Sequence, residues 1–97
     1  MDVLYPLQGN IFVWDAGKAN SNRQKHGVTF EEAAEAFLDP FYQTGDASTP
    51  EEERDFLLGY TLSQRLLLVV HVQRHDYIRL ISARPATPAE RKIYEQG

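Results

Sequence analysis

No cysteine occurs among the 97 residues, which removes a disulfide framework and any thiolate zinc site. No apolar run approaches the roughly 20 residues of a membrane span. The opening MDVLYPLQGN has neither a basic flank nor an apolar centre, so it does not read as a signal peptide. Glycine-rich phosphate loops and nucleophile elbows are missing. His71 and His75 fall in a strand and a turn with no carboxylates at ligand spacing, so no metal site is expected. Positive charge is scarce: a net charge of -4 argues against a general nucleic-acid binder, whose affinity would come from neutralising phosphates. These absences describe one compact, soluble, cytoplasmic domain over residues 1–97, with no membrane part, no metal and no cofactor.

The charge that is present is unevenly spread. Residues 1–64 sum to -7 and residues 65–97 to +3, so the C-terminal third is a basic patch on an acidic protein. IFVW at 11–14 reads as a strand. Asp15 then caps a helix that runs to about His26 and stops at Gly27, with Lys25 and His26 in the last turn, where positive charge is favoured. Thr29 and Glu32 form a capping box for a second helix that buries Phe30, Ala33, Ala34, Phe37 and Leu38 and ends at Asp39-Pro40. A short strand near 41–44 and an acidic surface loop at 46–53 follow.

Three strand-like runs come next, at 54–61, 65–73 and 77–84, joined by connections short enough to force antiparallel hairpins. In the middle run, Leu66, Leu68, Val70 and Val72 share one face, while Arg65, Leu67, Val69, His71 and Gln73 share the other. The register of the next hairpin is open, so Arg79 is not assigned to either face. Thr87, Pro88 and Glu90 carry the cap, first-turn proline and capping-box glutamate of a short last helix. Its buried face is expected at Ile93 and Tyr94, with Arg91 and Lys92 near solvent. The fold class is α+β: an antiparallel meander sheet with two N-terminal helices and one short C-terminal helix, the helices on one face.

Arginines and histidines near a sheet suit metal-free phosphodiester chemistry, since arginine grips phosphate with two donors and histidine exchanges protons. Each residue also has a plainer role. A lone strand histidine such as His71 is more often a packed structural group, and His26 before a glycine stop is more often a helix-end cation. Arg84 before Pro85 can bond nearby carbonyls, and Glu90 is already explained by the capping box.

Three segments add a resemblance. WDAGKANSNRQKHGVTFEEAAEAFLDP carries Trp-Asp-x-x-Lys-x-x-x-Asn-x-x-Lys-His-Gly-Val-x-Phe, LLLVVHVQR is an apolar strand with a histidine, and IRLISARPATPAERKIYE carries Ile-Ser-Ala-Arg-x-Ala-Thr-x-x-Glu-Arg-x-x-Tyr. Together they resemble the BrnT family of type II toxins from about Phe12 to Gly97, with Met1 to Asn10 as an extra leader. The resemblance implies a RelE-like ribonuclease fold, mRNA cleavage that stops translation, and neutralisation by a cognate ribbon-helix-helix antitoxin through which operator DNA is bound. It implies catalytic roles for His71, Arg79, Arg84, Tyr94 and His26, and RNA contacts from Lys25, Arg65 and Arg91, all around the open face of the sheet. A competing reading is a non-enzymatic module that uses the same basic face to hold a partner helix.

Overall fold

The computed structural model describes residues 1–97. In chain order it contains β1 (Asp2–Leu7), β2 (Asn10–Asp15), α1 (Ala16–His26), α2 (Phe30–Glu35) with a 3-10 turn at Ala36–Leu38, β3 (Gln43–Asp46), β4 (Asp55–Tyr60), β5 (Leu66–Gln73), β6 (Ile78–Pro85) and α3 (Pro88–Gln96). No helix is long and apolar enough to cross a membrane.

The supposed leader is a strand. Gln8 and Gly9 both have positive φ, 49° and 84°, the sense that matches strand twist in a two-residue hairpin. They pair β1 with β2 along the whole of β1, from Asp2↔Asp15 to Leu7↔Asn10. Val3, Tyr5 and Leu7 alternate onto the core, and Pro6 is tolerated because β1 is an edge strand.

The sheet order is β1-β2-β6-β5-β4-β3. β3 to β6 form the expected antiparallel meander, but β2 joins β6 in parallel through Phe12↔Ile78 and Val13↔Arg79. The sheet is therefore mixed, not a pure antiparallel meander. A parallel pair needs a long crossover, and here everything from α1 to β5 supplies it.

The helices are also divided between the faces, where one face was expected. α2 lies over the face that carries Leu57, Leu67, Val69, Leu80 and Ala83, and its Phe30, Ala33 and Ala34 complete the core with Phe12 and Trp14. The small alanines permit close approach: a Cβ on Gly59 would stand 2.6 Å from the Ala36 carbonyl oxygen. α3 lies on the opposite face, where Tyr94 packs edge-on against Tyr60 at 5.2 Å and Gln43 donates to the Ile93 and Tyr94 carbonyls. Tyr60 and Gln43 alternate with core-facing Gly59 and Thr44, which fixes that face. Ile93, expected to be buried, remains 54% exposed.

α1 has almost no apolar stripe, and a polar clamp docks it. Asn22 donates to the carbonyls of Val28 and Ala83 at 3.0 and 2.9 Å and accepts from the Ala83 N–H at 3.0 Å. It serves the backbone edge of β6 where β2 has already ended, so both polar groups of Ala83 are satisfied. Asp15 caps α1 through the Lys18 N–H, and Gly27 closes it at φ 68°.

A bulge sets the remaining geometry. Val70 pairs with Ser82 but His71 pairs with Leu80, leaving Ile81 as the extra residue. The alternation of β6 inverts there. Leu80 and Ala83 both face the core, so Arg79 and Arg84 share the outer face, opposite His71.

Candidate functional site

The expected site residues divide between the two ends of the sheet. At the end where β5 begins and β6 finishes, Arg65 Nη1 donates to both carboxylate oxygens of Glu32 at 2.9 Å and to the Gly27 carbonyl at 3.2 Å. It thereby braces the last turn of α1, which carries Lys25 and His26. Neither of these two makes an ion pair or side-chain hydrogen bond within the chain. Arg65 Nε and Nη2 are also unengaged, leaving N–H donors of the guanidinium available.

At this end, on the outer face, Arg84 grips Glu90 through two parallel bonds of 2.8 Å. Glu90 also accepts from the Thr87 N–H while Thr87 Oγ1 accepts from the Glu90 N–H, so one carboxylate is both half of the α3 capping box and the clamp on β6. The Arg84 guanidinium, aided by the Thr87 N–H, pulls the Glu90 carboxyl down to about 2. Arg91 Nη1 donates to the Tyr60 hydroxyl at 2.9 Å.

Tyr94 donates to Asp39 Oδ2 at 2.6 Å, and burial together with that carboxylate pushes the phenol up to about 12. Burial works against the Asp39 charge, but bonds from the Tyr60 N–H, the Tyr94 hydroxyl and the Phe41 N–H outweigh it and hold the carboxyl below its usual value. Tyr94 thus stays protonated at neutral pH.

Arg79 is remote from this cluster, near the far end of the outer face. It pairs with Asp2 of β1 through bonds of 3.1 and 3.0 Å, and that pairing raises its pKa and lowers that of Asp2.

His71 lies on the helix side, about 20 Å of extended chain from Arg65. It is 5% exposed, with Phe37 edge-on at 5.0 Å. Burial lowers its pKa and keeps the ring neutral. It lines a cleft of about 400 Å³ with Phe37, Tyr42, Thr44, Asp55 and Gln73. No lysine or arginine borders this cleft. No cluster of three or more His, Cys, Asp or Glu side chains suited to holding a metal occurs.

The residues expected around one open face therefore do not converge there. Arg79, Arg84 and Tyr94 come from the outer face and α3, Lys25, His26 and Arg65 rim the helix side of one sheet end, and His71 faces the helix side of the other. Sequence reasoning passed over Asn22, Asp39, Asp55 and Tyr60. Asn22 had a signal, because it stands inside the Lys-x-x-x-Asn-x-x-Lys-His-Gly run and needed a reason to be there; the other three have partners set by tertiary structure alone.

A family model described as "Ribonuclease toxin, BrnT, of type II toxin-antitoxin system" matches residues 14–90. No curated protein matches the chain. The matched span runs from Trp14 to the Glu90 clamp and leaves β1, Arg91 and Tyr94 outside it.

Proposed function

The chain belongs to the BrnT family of ribonuclease toxins of type II toxin-antitoxin systems, and from that premise we propose that it is a cytoplasmic, metal-independent endoribonuclease that cleaves mRNA and stops translation. A cognate ribbon-helix-helix antitoxin neutralises it, and operator DNA is contacted only through that antitoxin.

The observation that carries this reading is the cation-rich sheet end. Lys25 and His26 are free of intramolecular partners, Arg65 retains unengaged donors, and Arg84 and Arg91 lie at the same end. In the proposed step the substrate's 2′-oxygen attacks the adjacent phosphorus and His26 accepts its proton. The P–O5′ bond breaks, the 5′-oxygen takes a proton from solvent, and a 2′,3′-cyclic phosphate remains. Arg65, through its unengaged Nε and Nη2, stabilises the charge that develops on phosphorus and Lys25 holds a flanking phosphate, while Arg84 and Arg91 meet the RNA backbone where it passes onto the outer face. Tyr94, held protonated by Asp39, positions the RNA and does not serve as a base. Arg79 extends the outer face away from the reacting group.

The test is RNA cleavage by the purified protein freed of its partner, with and without chelator. His26→Gln is expected to lower cleavage about 100-fold or more with melting unchanged and chelator without effect. Normal cleavage by His26→Gln, or intact RNA with the wild-type protein, overturns the reading. The in-chain neutralisation of Arg79 by Asp2 and Arg84 by Glu90 favours a second reading, a module that binds a partner without cleaving RNA. That reading requires Arg84→Ala to weaken the complex while neither form cuts RNA.

A further inference from the structure

The cleft around His71 is the polar concavity that the cation-rich end does not explain. Its floor is made by neighbours in register: Asp55 of β4 stands directly opposite His71 of β5, and Thr44 of β3 shares their face. Phe37 covers one side of the imidazole, while Tyr42, 48% exposed, stands at the rim. The volume of about 400 Å³ falls within the range of small-ligand clefts, roughly 300–1,000 Å³.

Its polar groups are unspent. His71 is more than nine-tenths buried, yet its one hydrogen-bond contact is a marginal 3.5 Å approach of Nδ1 to the Val69 carbonyl. The Nε2 atom has no partner. Neither do the carboxylate of Asp55, the hydroxyl of Thr44 or that of Tyr42. The imidazole is thus held nearly buried while its free nitrogen opens onto the cleft, where a ligand can replace solvent as its partner.

The chemistry narrows the occupant. Asp55 with no lysine or arginine beside it repels phosphate and other anions. One histidine and one carboxylate do not make a metal site. What remains is a planar, uncharged group that stacks on an aromatic ring, gives two adjacent N–H donors to a carboxylate and exchanges a hydrogen bond with a neutral imidazole. The N1–H and exocyclic amine of guanine have that form, and unstacked bases in single-stranded RNA are read in this way, by aromatic stacking and edge hydrogen bonds.

We propose that the His71–Asp55 cleft holds one unstacked, amine-bearing nucleobase, guanine by preference, of a single-stranded RNA, and so supplies base selectivity at a distance from the cation-rich end. This inference rests on the reading of the protein as a ribonuclease toxin. Burial keeps His71 neutral, which leaves its ring able to accept as well as donate.

The experiment is binding by the full chain freed of its partner, followed through the NMR signals of the His71 ring and the Thr44 amide. The probes are guanosine, uridine, and oligouridylate with or without one guanosine. Guanosine and the guanosine-containing RNA are expected to shift both signals, the RNA binding more tightly, while uridine and plain oligouridylate leave them in place. Asp55→Asn, a change at an exposed side chain, is expected to weaken guanosine binding about tenfold or more with melting unchanged. Silent His71 and Thr44 signals with every probe, or an Asp55→Asn protein that binds guanosine as well as wild type, overturn the cleft. Equal affinity for free guanosine and the RNA overturns its assignment to RNA. Cleavage activity is scored separately: a protein that shifts these signals but leaves RNA intact retains the cleft and loses the ribonuclease reading, and one that cuts RNA with a silent cleft does the reverse.

Discussion

The two ends of the sheet are built from the same strands and solve opposite problems. Where β5 begins and β6 finishes, charge is dense, and most of it is tied into the fold: Arg65 to Glu32, Arg84 to Glu90, Tyr94 to Asp39. At the other end of the helix side, around His71, there is no cation and the polar groups have few partners. Groups at the first end hold elements in place through charge and leave a remainder for chemistry; at the second, His71 packs on Phe37 but the polar atoms facing the cleft are left for a ligand. Substitutions at the first should register in stability, and those at the second in binding.

The sharpest way to test this contrast is Asn22→Ala. It removes three buried bonds and leaves the Ala83 N–H and carbonyl without partners, which is expected to cost about 3 kcal/mol. A domain of this size should lose at least about 10 °C of melting temperature. A loss no larger than that of an exposed Asn→Ala control such as Asn20→Ala would mean that α1 is docked by something else.

Gly27→Val comes next. Nothing crowds the position where its Cβ would stand, so the penalty is purely conformational, from holding a β-branched residue at φ 68°, and is expected at about 1–2 kcal/mol. Chemical denaturation measures it, and Gly27→Asn, which tolerates this region, should recover part of the loss.

The Glu90 clamp predicts a smaller, pH-dependent effect. Its folded pKa of about 2 lies below the 4.5 of an unperturbed glutamate, so its contribution is fully present above about pH 4.5 and disappears as pH falls toward 2. Solvent screening of this partly exposed pair limits it to about 1 kcal/mol. Glu90→Gln should abolish that portion of the acid dependence, and an unchanged acid profile would show that the pair adds nothing. Thr87→Ala removes the other half of the capping box and should cost about 1 kcal/mol independently of pH. An unchanged melting curve would refute Thr87 as the cap.

What the sequence disclosed was local. The caps at Asp15, Thr29 and Thr87 and the glycine stop after His26 rest on residues within four positions of one another and are present, but the box expected of Thr29 and Glu32 is only half formed, because Arg65 takes the Glu32 carboxylate. β1 stands in the resemblance only as a leader, although the alternation of Val3, Tyr5 and Leu7 and the Gln8-Gly9 turn are strand and hairpin signals. The parallel β2–β6 pair was not legible, since no short-range pattern announces a partner 66 positions away. The bulge at Ile81 was equally hidden, and with it the fact that Arg79 and Arg84 share a face. The candidate site suffered most, because Arg79 and Arg65 find their carboxylates 77 and 33 positions away. Residue types suggested phosphate chemistry, but only tertiary structure reveals which cations are already occupied.

The position of β6 has a consequence for the timing of synthesis. It is the last strand in the chain yet sits inside the sheet, between β2 and β5, so the hairpin of β1 and β2 remains separated from the meander until residues 78–85 have been made. Contacts of such long sequence separation form late, and a chain that emerges from its amino end cannot close this sheet gradually. A nascent toxin assembled in this order would stay unfinished for most of its synthesis, and an antitoxin would meet a completed fold in place of a growing one.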